Sequence, residues 1–265
     1  MKQLSGMRPA SKAAGDDTTL TRFVRVGARE QHVSTRVPDK SPQYADRGRT
    51  KFPTRVIAPR DMTNLLVSGH SNIKIGRDVR KGHLRGYWIY TLSLEERATC
   101  PSTCAHWQTC YGNNMPLAKR VDHTDPTFLS RLEAEIEMLL AKRGRPGILI
   151  RLHALGDFYS TDYVVFWDRM LATHPRLSVY GYTARSGFLD PIGVDIAALA
   201  GKYASRFMVR ESDGGWPGMS TVSIANPEDC PADAFVCPEQ TGKTLACATC
   251  AACWSTSKNV AFLDH

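Results

Sequence analysis

Apolar positions along the chain fall into two kinds of run that alternate. Phe128, Leu129, Leu132, Ile136, Leu139 and Leu140 recur at three- and four-residue spacing, which predicts an amphipathic helix. Asp125-Pro126 in front of it supplies an N-cap and a proline for the first turn, and "KRGRPG" behind it ends it. A second helical run holds Val164, Val165, Trp167, Met170 and Leu171, with Thr161 as its cap and "THPR" as its close. A third opens at Asp190-Pro191 and runs to about Ala200. Between them lie "ILIRLHALGDF", "LSVYGYTAR" and "RFMVRES", short runs of apolar, β-branched and aromatic residues that predict buried strands. Upstream, "YWIYTLSL" at 87–94 predicts another strand, and "NLLVSGHSNIKIG" predicts two short strands about a turn.

Strands alternating with single helices imply right-handed crossovers and a parallel sheet. The units are too few for a complete eight-fold barrel, which leaves a partial (β/α) barrel or a short open α/β sheet. In either, ligands collect beyond the carboxyl ends of the strands. That rule selects Gly156 and Asp157 after one strand, Thr183 and Arg185 after the next, and Arg210, Glu211 and Ser212 after the third. "SDGGWPGMS" then reads as a glycine-rich connection.

Charge divides the chain further. Residues 1–55 hold 12 Lys/Arg against 5 Asp/Glu, whereas the remainder holds 22 against 21. The basic arm lacks sustained periodicity and reads as mostly irregular, followed by an α/β body over 56–225 and a cysteine-rich segment over 226–265. A basic arm suits the phosphates of nucleic acid as a partner. No secretory leader and no apolar run of about 20 residues is visible, so a cytoplasmic protein without membrane contact is expected. The sequence leaves the oligomeric state open. It contains no phosphate-binding Walker loop, dinucleotide fingerprint or nucleophile elbow.

Eight cysteines in that setting point to metal rather than to disulfides. Cys100, Cys104 and Cys110 crowd into eleven positions as C-x3-C-x5-C, directly after the first strand of the series. Cys237, Cys247, Cys250 and Cys253 form C-x9-C-x2-C-x2-C, with Cys230 upstream. Two-residue gaps let successive sulfurs converge on one centre, with nearby peptide N–H groups offsetting their charge. Four thiolates suit zinc as well as iron. The seven cysteines could share one closed site or form two, and in the second case the three-thiol group leaves a coordination position open, which is the mark of a catalytic metal.

The motifs "YTLSLEERATCPSTCAHWQTCYGNN", "IRLHALGDFYSTDYV", "YGYTAR" and "CATCAACW" resemble the phage and prophage gene product 88 family, itself regarded as similar to radical S-adenosylmethionine proteins. The resemblance spans roughly residues 65 to 256. It implies a partial-barrel core and a 4Fe-4S cluster on Cys100, Cys104 and Cys110, with one iron open to S-adenosylmethionine. Leu155, Gly156 and Asp157 would then meet the amino group of that ligand, Arg185 or Arg210 its carboxylate, and Glu211 or Ser212 its ribose. The C-x3-C-x5-C spacing differs from the C-x3-C-x2-C of the radical enzymes. A non-catalytic α/β module stapled by zinc or a closed cluster, binding nucleic acid or a protein partner, is the alternative expectation.

Overall fold

The computed structural model describes residues 21–26, 29–34, 48–143, 146–216 and 218–264. Within the arm, β1 (Thr21–Val26) and β2 (Arg29–Ser34) form an antiparallel hairpin that pairs Thr21 with Ser34, where an irregular segment was expected. The rest of the arm up to residue 47 lies outside the described residues.

The body follows as β3 (Val56–Ile57), β4 (Val67–Ser68), β5 (Trp88–Ser93), β6 (Arg120–Val121), α1 (Phe128–Arg143), β7 (Ile148–Leu155), α2 (Thr161–Thr173), β8 (Leu177–Thr183), α3 (Pro191–Lys202) and β9 (Phe207–Ser212). It ends with β10 (Ser220–Ile224), β11 (Ala234–Val236), the single turns α4 (Cys247–Cys250) and α5 (Ala252–Ser255), and β12 (Asn259–Leu263). One eight-stranded sheet in the order β11-β12-β10-β9-β8-β7-β5-β4 carries the fold. All neighbours in it are parallel except β4, which runs antiparallel on β5. The sheet is mixed and open, with β4 and β11 at its edges, so no barrel closes. The cysteine-rich segment is not an appended unit, because β11 and β12 extend the same sheet.

The two-residue period of the strands sorts their side chains between two cores. Ile148, Ile150 and Leu152 of β7, Val179 of β8, and Phe207 and Val209 of β9 face α1, α2 and α3 in one cluster. Ile89, Leu149, Tyr180 and Met208 face the other way. There they meet Ile75, Val79 and Leu84 of the 72–87 segment and Ala248, Ala251 and Trp254 of the tail. The three helices stand side by side, tied by Arg169 to Glu133 and by Lys202 to Asp168 at 2.8 Å.

Local chemistry sets the element ends. Ser160, rather than the expected Thr161, caps α2 by accepting from the Tyr163 N–H, and Asp190 caps α3 by accepting from Ile192. Asp125 accepts from Thr127, and α1 starts at Phe128, two residues after the proline. Of the two strands expected around 64–76 only β4 forms. Gly69–Ser71 turns as a short 3-10 helix and 72–76 continues as turns that place Ile75 against the tail.

Two core positions yield testable consequences. Trp167 is fully buried among Tyr163 and Phe166, so Trp167→Ala should cost about 3–5 kcal/mol in urea unfolding with an unchanged m-value. His153, whose Nε2 sits 3.0 Å from the Tyr163 hydroxyl, is pushed down to about 3 by burial, with the Arg151 cation adding repulsion. The unfolded chain therefore binds a proton that the folded chain refuses, and stability falls as pH drops from about 6.5 toward 3, by on the order of 1.4 kcal/mol per pH unit. His153→Gln, which does not titrate, should flatten that slope in urea titrations run from pH 7 to 4.

Candidate functional site

The loop after β5 begins with three buried charged residues. Glu95 accepts from the Thr50 N–H at 3.0 Å and pairs with Arg49 at 2.7 Å. Glu96 holds Arg120 through two bonds of 2.6 and 2.9 Å and accepts from the Thr50 hydroxyl at 2.6 Å. Both members of the Glu96–Arg120 pair are at most 1 % exposed, and Arg120 also donates to the carbonyls of Gly112, Met115 and Ala118. Arg97, in the left-handed region at φ 68°, donates to the Asn113 side chain at 2.6 Å. These bonds fold residues 97–120 into a fixed loop that carries Cys100, Cys104 and Cys110.

The three thiols stand close enough to perturb one another. Burial raises all three above the ordinary thiol range, Cys104 to about 11. The Asp157 carboxylate raises Cys100 further, whereas the Arg97 and Arg120 cations work the other way on Cys110. Backbone N–H groups two residues on are directed at sulfur, from His106 to Cys104 and from Gly112 to Cys110.

The other four cysteines are separate. Cys237, Cys247, Cys250 and Cys253 line one small cavity with Phe235, Pro238 and Trp254. Peptide N–H groups from Glu239 and Gln240 are directed at Cys237, and that of Ala252 at Cys250. Burial pushes Cys237 up to about 11 and raises Cys247 further. The Tyr182 hydroxyl reaches the Cys253 sulfur at 3.0 Å, and the Arg151 guanidinium lies 4.2 Å from the centre of the Tyr182 ring. Cys230 lies outside this lining, its sulfur against the Pro231 carbonyl. The seven expected ligands thus form two groups of three and four. Among the described residues, no set of three or more His, Cys, Asp or Glu side chains is already arranged to hold a metal ion.

Beside the three-thiol loop, the ends of β8 and β9 border a cleft of about 520 Å³. Thr103, Cys104 and His106 form one wall, and Ser186, Asp190, Glu211, Ser212 and Asp213 the other. His106 and Asp213 pair across it at 2.7 Å, which raises the imidazole and lowers the carboxyl.

Of the residues expected to hold a cofactor, Glu211 and Ser212 line the cleft. The others serve the scaffold. Gly156 turns at φ 85°, and a Cβ there would approach the Thr99 hydroxyl at 2.7 Å and the Leu94 Cβ at 2.8 Å. Asp157 is 3 % exposed and accepts from the Thr183 hydroxyl and from the N–H groups of Ala184 and Phe158, each at 2.7 Å. Burial still raises its carboxyl to about 6. Arg185 donates to the Phe158 carbonyl, to Asp190 at 2.7 Å and to the Thr99 carbonyl at 3.2 Å. Arg210 spends its guanidinium on the carbonyls of Cys253, Thr256, Lys258 and Gly218, at 2.6–3.2 Å. It thereby fastens the tail beneath the sheet. His106 and Asp213 were missed by sequence reasoning, because only the folded loop brings residues 107 apart to face each other across the cleft.

The family model described as "Gene product 88" matches residues 64–215. The Gene 88 protein of Mycobacterium phage L5 is 27 % identical over 166 residues, covering 57 % of this chain and 69 % of the phage protein. No solved structure matches.

The buried Glu96–Arg120 pair gives a direct test of how the thiol loop is held. Arg120→Met should cost about 3–5 kcal/mol by leaving a buried carboxylate uncompensated. The double change Glu96→Gln with Arg120→Met should cost clearly less than the sum of the two single changes, as read by urea denaturation in a double-mutant cycle.

Proposed function

The chain belongs to the gene product 88 family, and from that premise and the site geometry we propose that it is an iron–sulfur protein with two thiolate centres. Cys100, Cys104 and Cys110 would hold an open 4Fe-4S cluster facing the cleft. Cys237, Cys247, Cys250 and Cys253 would hold a closed centre. The observation that carries the reading is the grouping itself, with Cys237, Cys247, Cys250 and Cys253 lining one small cavity and Cys100, Cys104 and Cys110 brought together on another loop. Amides aimed at buried sulfur stabilise thiolate and bridging sulfide, and hydrogen bonds of this kind tune cluster potentials. Neutral thiols make little use of them.

The two centres differ in coordination. Four cysteines complete a tetrahedral set or a cluster, so the tail centre is structural or electron-transferring and pins the C-terminal segment to the sheet. Three leave one metal without a protein ligand, at the mouth of a cleft roomy enough for a small molecule. The expected likeness of the family to radical enzymes would put S-adenosylmethionine at that position, where a reduced cluster would supply the electron for its reductive cleavage. The chain's own contribution is then to present hydroxyls and carboxylates from Thr103, Ser186, Glu211, Ser212 and Asp213 around the ligand.

A second reading has a specific observation behind it. Asp157, Arg185 and Arg210 are committed to internal bonds, which favours a non-catalytic, metal-stapled α/β module holding zinc or closed clusters. Anaerobic purification followed by iron, sulfide and zinc analysis, with electron paramagnetic resonance of the reduced protein before and after S-adenosylmethionine, separates the two. Iron and sulfide are expected, with a signal that moves on adding the ligand. Cys104→Ala should abolish the moving component and Cys250→Ala should spare it. Zinc, or iron with an unmoved signal, would overturn the open-cluster reading in favour of the stapled module.

A further inference from the structure

A parallel sheet with one helix per crossover gathers every helix-to-strand connection at its amino end. Here the four segments that lead into β5, β7, β8 and β9 touch one another directly. Gly86 packs on the Pro146 ring, and Ile148 donates to the Arg176 carbonyl at 3.1 Å. The His83 ring meets the Ser205 carbonyl at 3.0 Å.

These segments are basic. Arg77, Arg80, Lys81 and Arg85 come from the first, Lys142 from the second and Arg176 from the third, and all six are exposed. Asp78 pairs with Arg77 and Arg80. Lys81, Arg85, Lys142 and Arg176 form no ion pair among the described residues. Half-buried Arg143 lies 3.9 Å over the Trp88 ring, with Arg77 at 5.3 Å, so this aromatic is already covered by guanidinium groups. The opposite end carries the cleft and its carboxylates Asp190, Glu211 and Asp213. The exposed cations without an ion pair thus gather at the amino ends of the strands, while the carboxyl ends carry the cleft, where Asp190 and Asp213 are paired with Arg185 and His106.

We propose that this amino-end rim is a docking surface for the phosphate backbone of nucleic acid, distinct from the basic arm and independent of any metal. Unpaired, exposed Lys and Arg spread over adjoining loops neutralise successive phosphates and release counterions. With Trp88 covered, the rim offers charge rather than a stacking platform, so recognition follows the backbone and not the sequence.

The test measures binding of the full chain to a fluorescent duplex of about 20 base pairs, and to a single strand of the same length, by anisotropy across a salt series. Arg85→Glu with Arg176→Glu should weaken binding at least about tenfold and lower the slope of log affinity against log salt by about 2. Arg60→Glu with Lys119→Glu, an equal charge change on exposed side chains at the other end, should change affinity far less. Neutralising the arm with Arg22→Ser, Arg25→Ser and Arg29→Ser should leave the rim-dependent loss in place. Equal losses from rim and control pairs would mean net charge alone, loss only from the arm variant would place binding there, and no binding at low salt would remove the partner. Each of these three results overturns the proposal. A preference for duplex or single strand identifies the form bound and supports it.

Discussion

The order of the central strands, β5-β7-β8-β9 in both sequence and space, is the constraint on which the rest depends. Each crossover carries one helix, and the three helices cover one face in a single core. The opposite face is then free for the 72–87 segment and the tail. The same order sorts the connections: strand-to-helix loops gather at one end and helix-to-strand loops at the other. The thiol loop, Asp157, Arg185 and the cleft wall share an end for that reason, and so do the cations of the rim.

Much of this architecture is legible in the residues, because apolar spacing responds directly to burial. The runs at 128–140, 164–171 and 191–200 became α1, α2 and α3, and the intervening apolar runs became β7, β8 and β9. What failed to show was anything decided by a distant partner. Ile75 looks like a strand residue, yet it serves as a wedge between the sheet and Ala248, whose N–H bonds the Ile75 carbonyl at 2.8 Å. Asp157, Arg185 and Arg210 stand where a ligand-binding group would stand. Most of their partners are main-chain groups, from 1 to 86 residues away, and no spacing rule reports a backbone carbonyl. The cysteines were visible as candidate ligands by density alone. Their division into three and four required the fold, which sends residues 100–110 to the carboxyl ends of the strands and 237–253 beneath the opposite face.

The thiols also explain why the tail packs as it does. Burial raises Cys237 and Cys247, so both are neutral in the metal-free chain. Any metal that takes them displaces protons, and its binding energy becomes folding energy for the segment it ties down. Arg210, Tyr182 and the bond from Arg80 to the Ala248 carbonyl already hold that segment without metal. In the proposed tail centre, these bonds would prepare the site instead of leaving its formation entirely to the ion. The three-thiol loop is held by other means, through Glu96 paired with Arg120, Glu95 bound by Arg49 and Thr50, Arg97 on the Asn113 side chain and Arg120 on loop carbonyls.

Polarity of the sheet restricts what the two ends can do together. Strands of six to eight residues at about 3.3 Å per residue separate the basic rim from the acidic cleft by roughly 20–25 Å. A nucleic-acid backbone held on the rim is kept that far from the cleft, whose carboxylates repel phosphate. The proposed backbone docking and the proposed ligand binding in the cleft would therefore be two functions of one molecule rather than two views of one substrate. Two of the three cleft carboxylates already have cationic partners, Asp190 in Arg185 and Asp213 in His106, so among the described residues Glu211 is the carboxylate left to meet a donor or cation on a ligand. A small molecule at one end and a polyanion at the other would be the division of labour that this strand order allows.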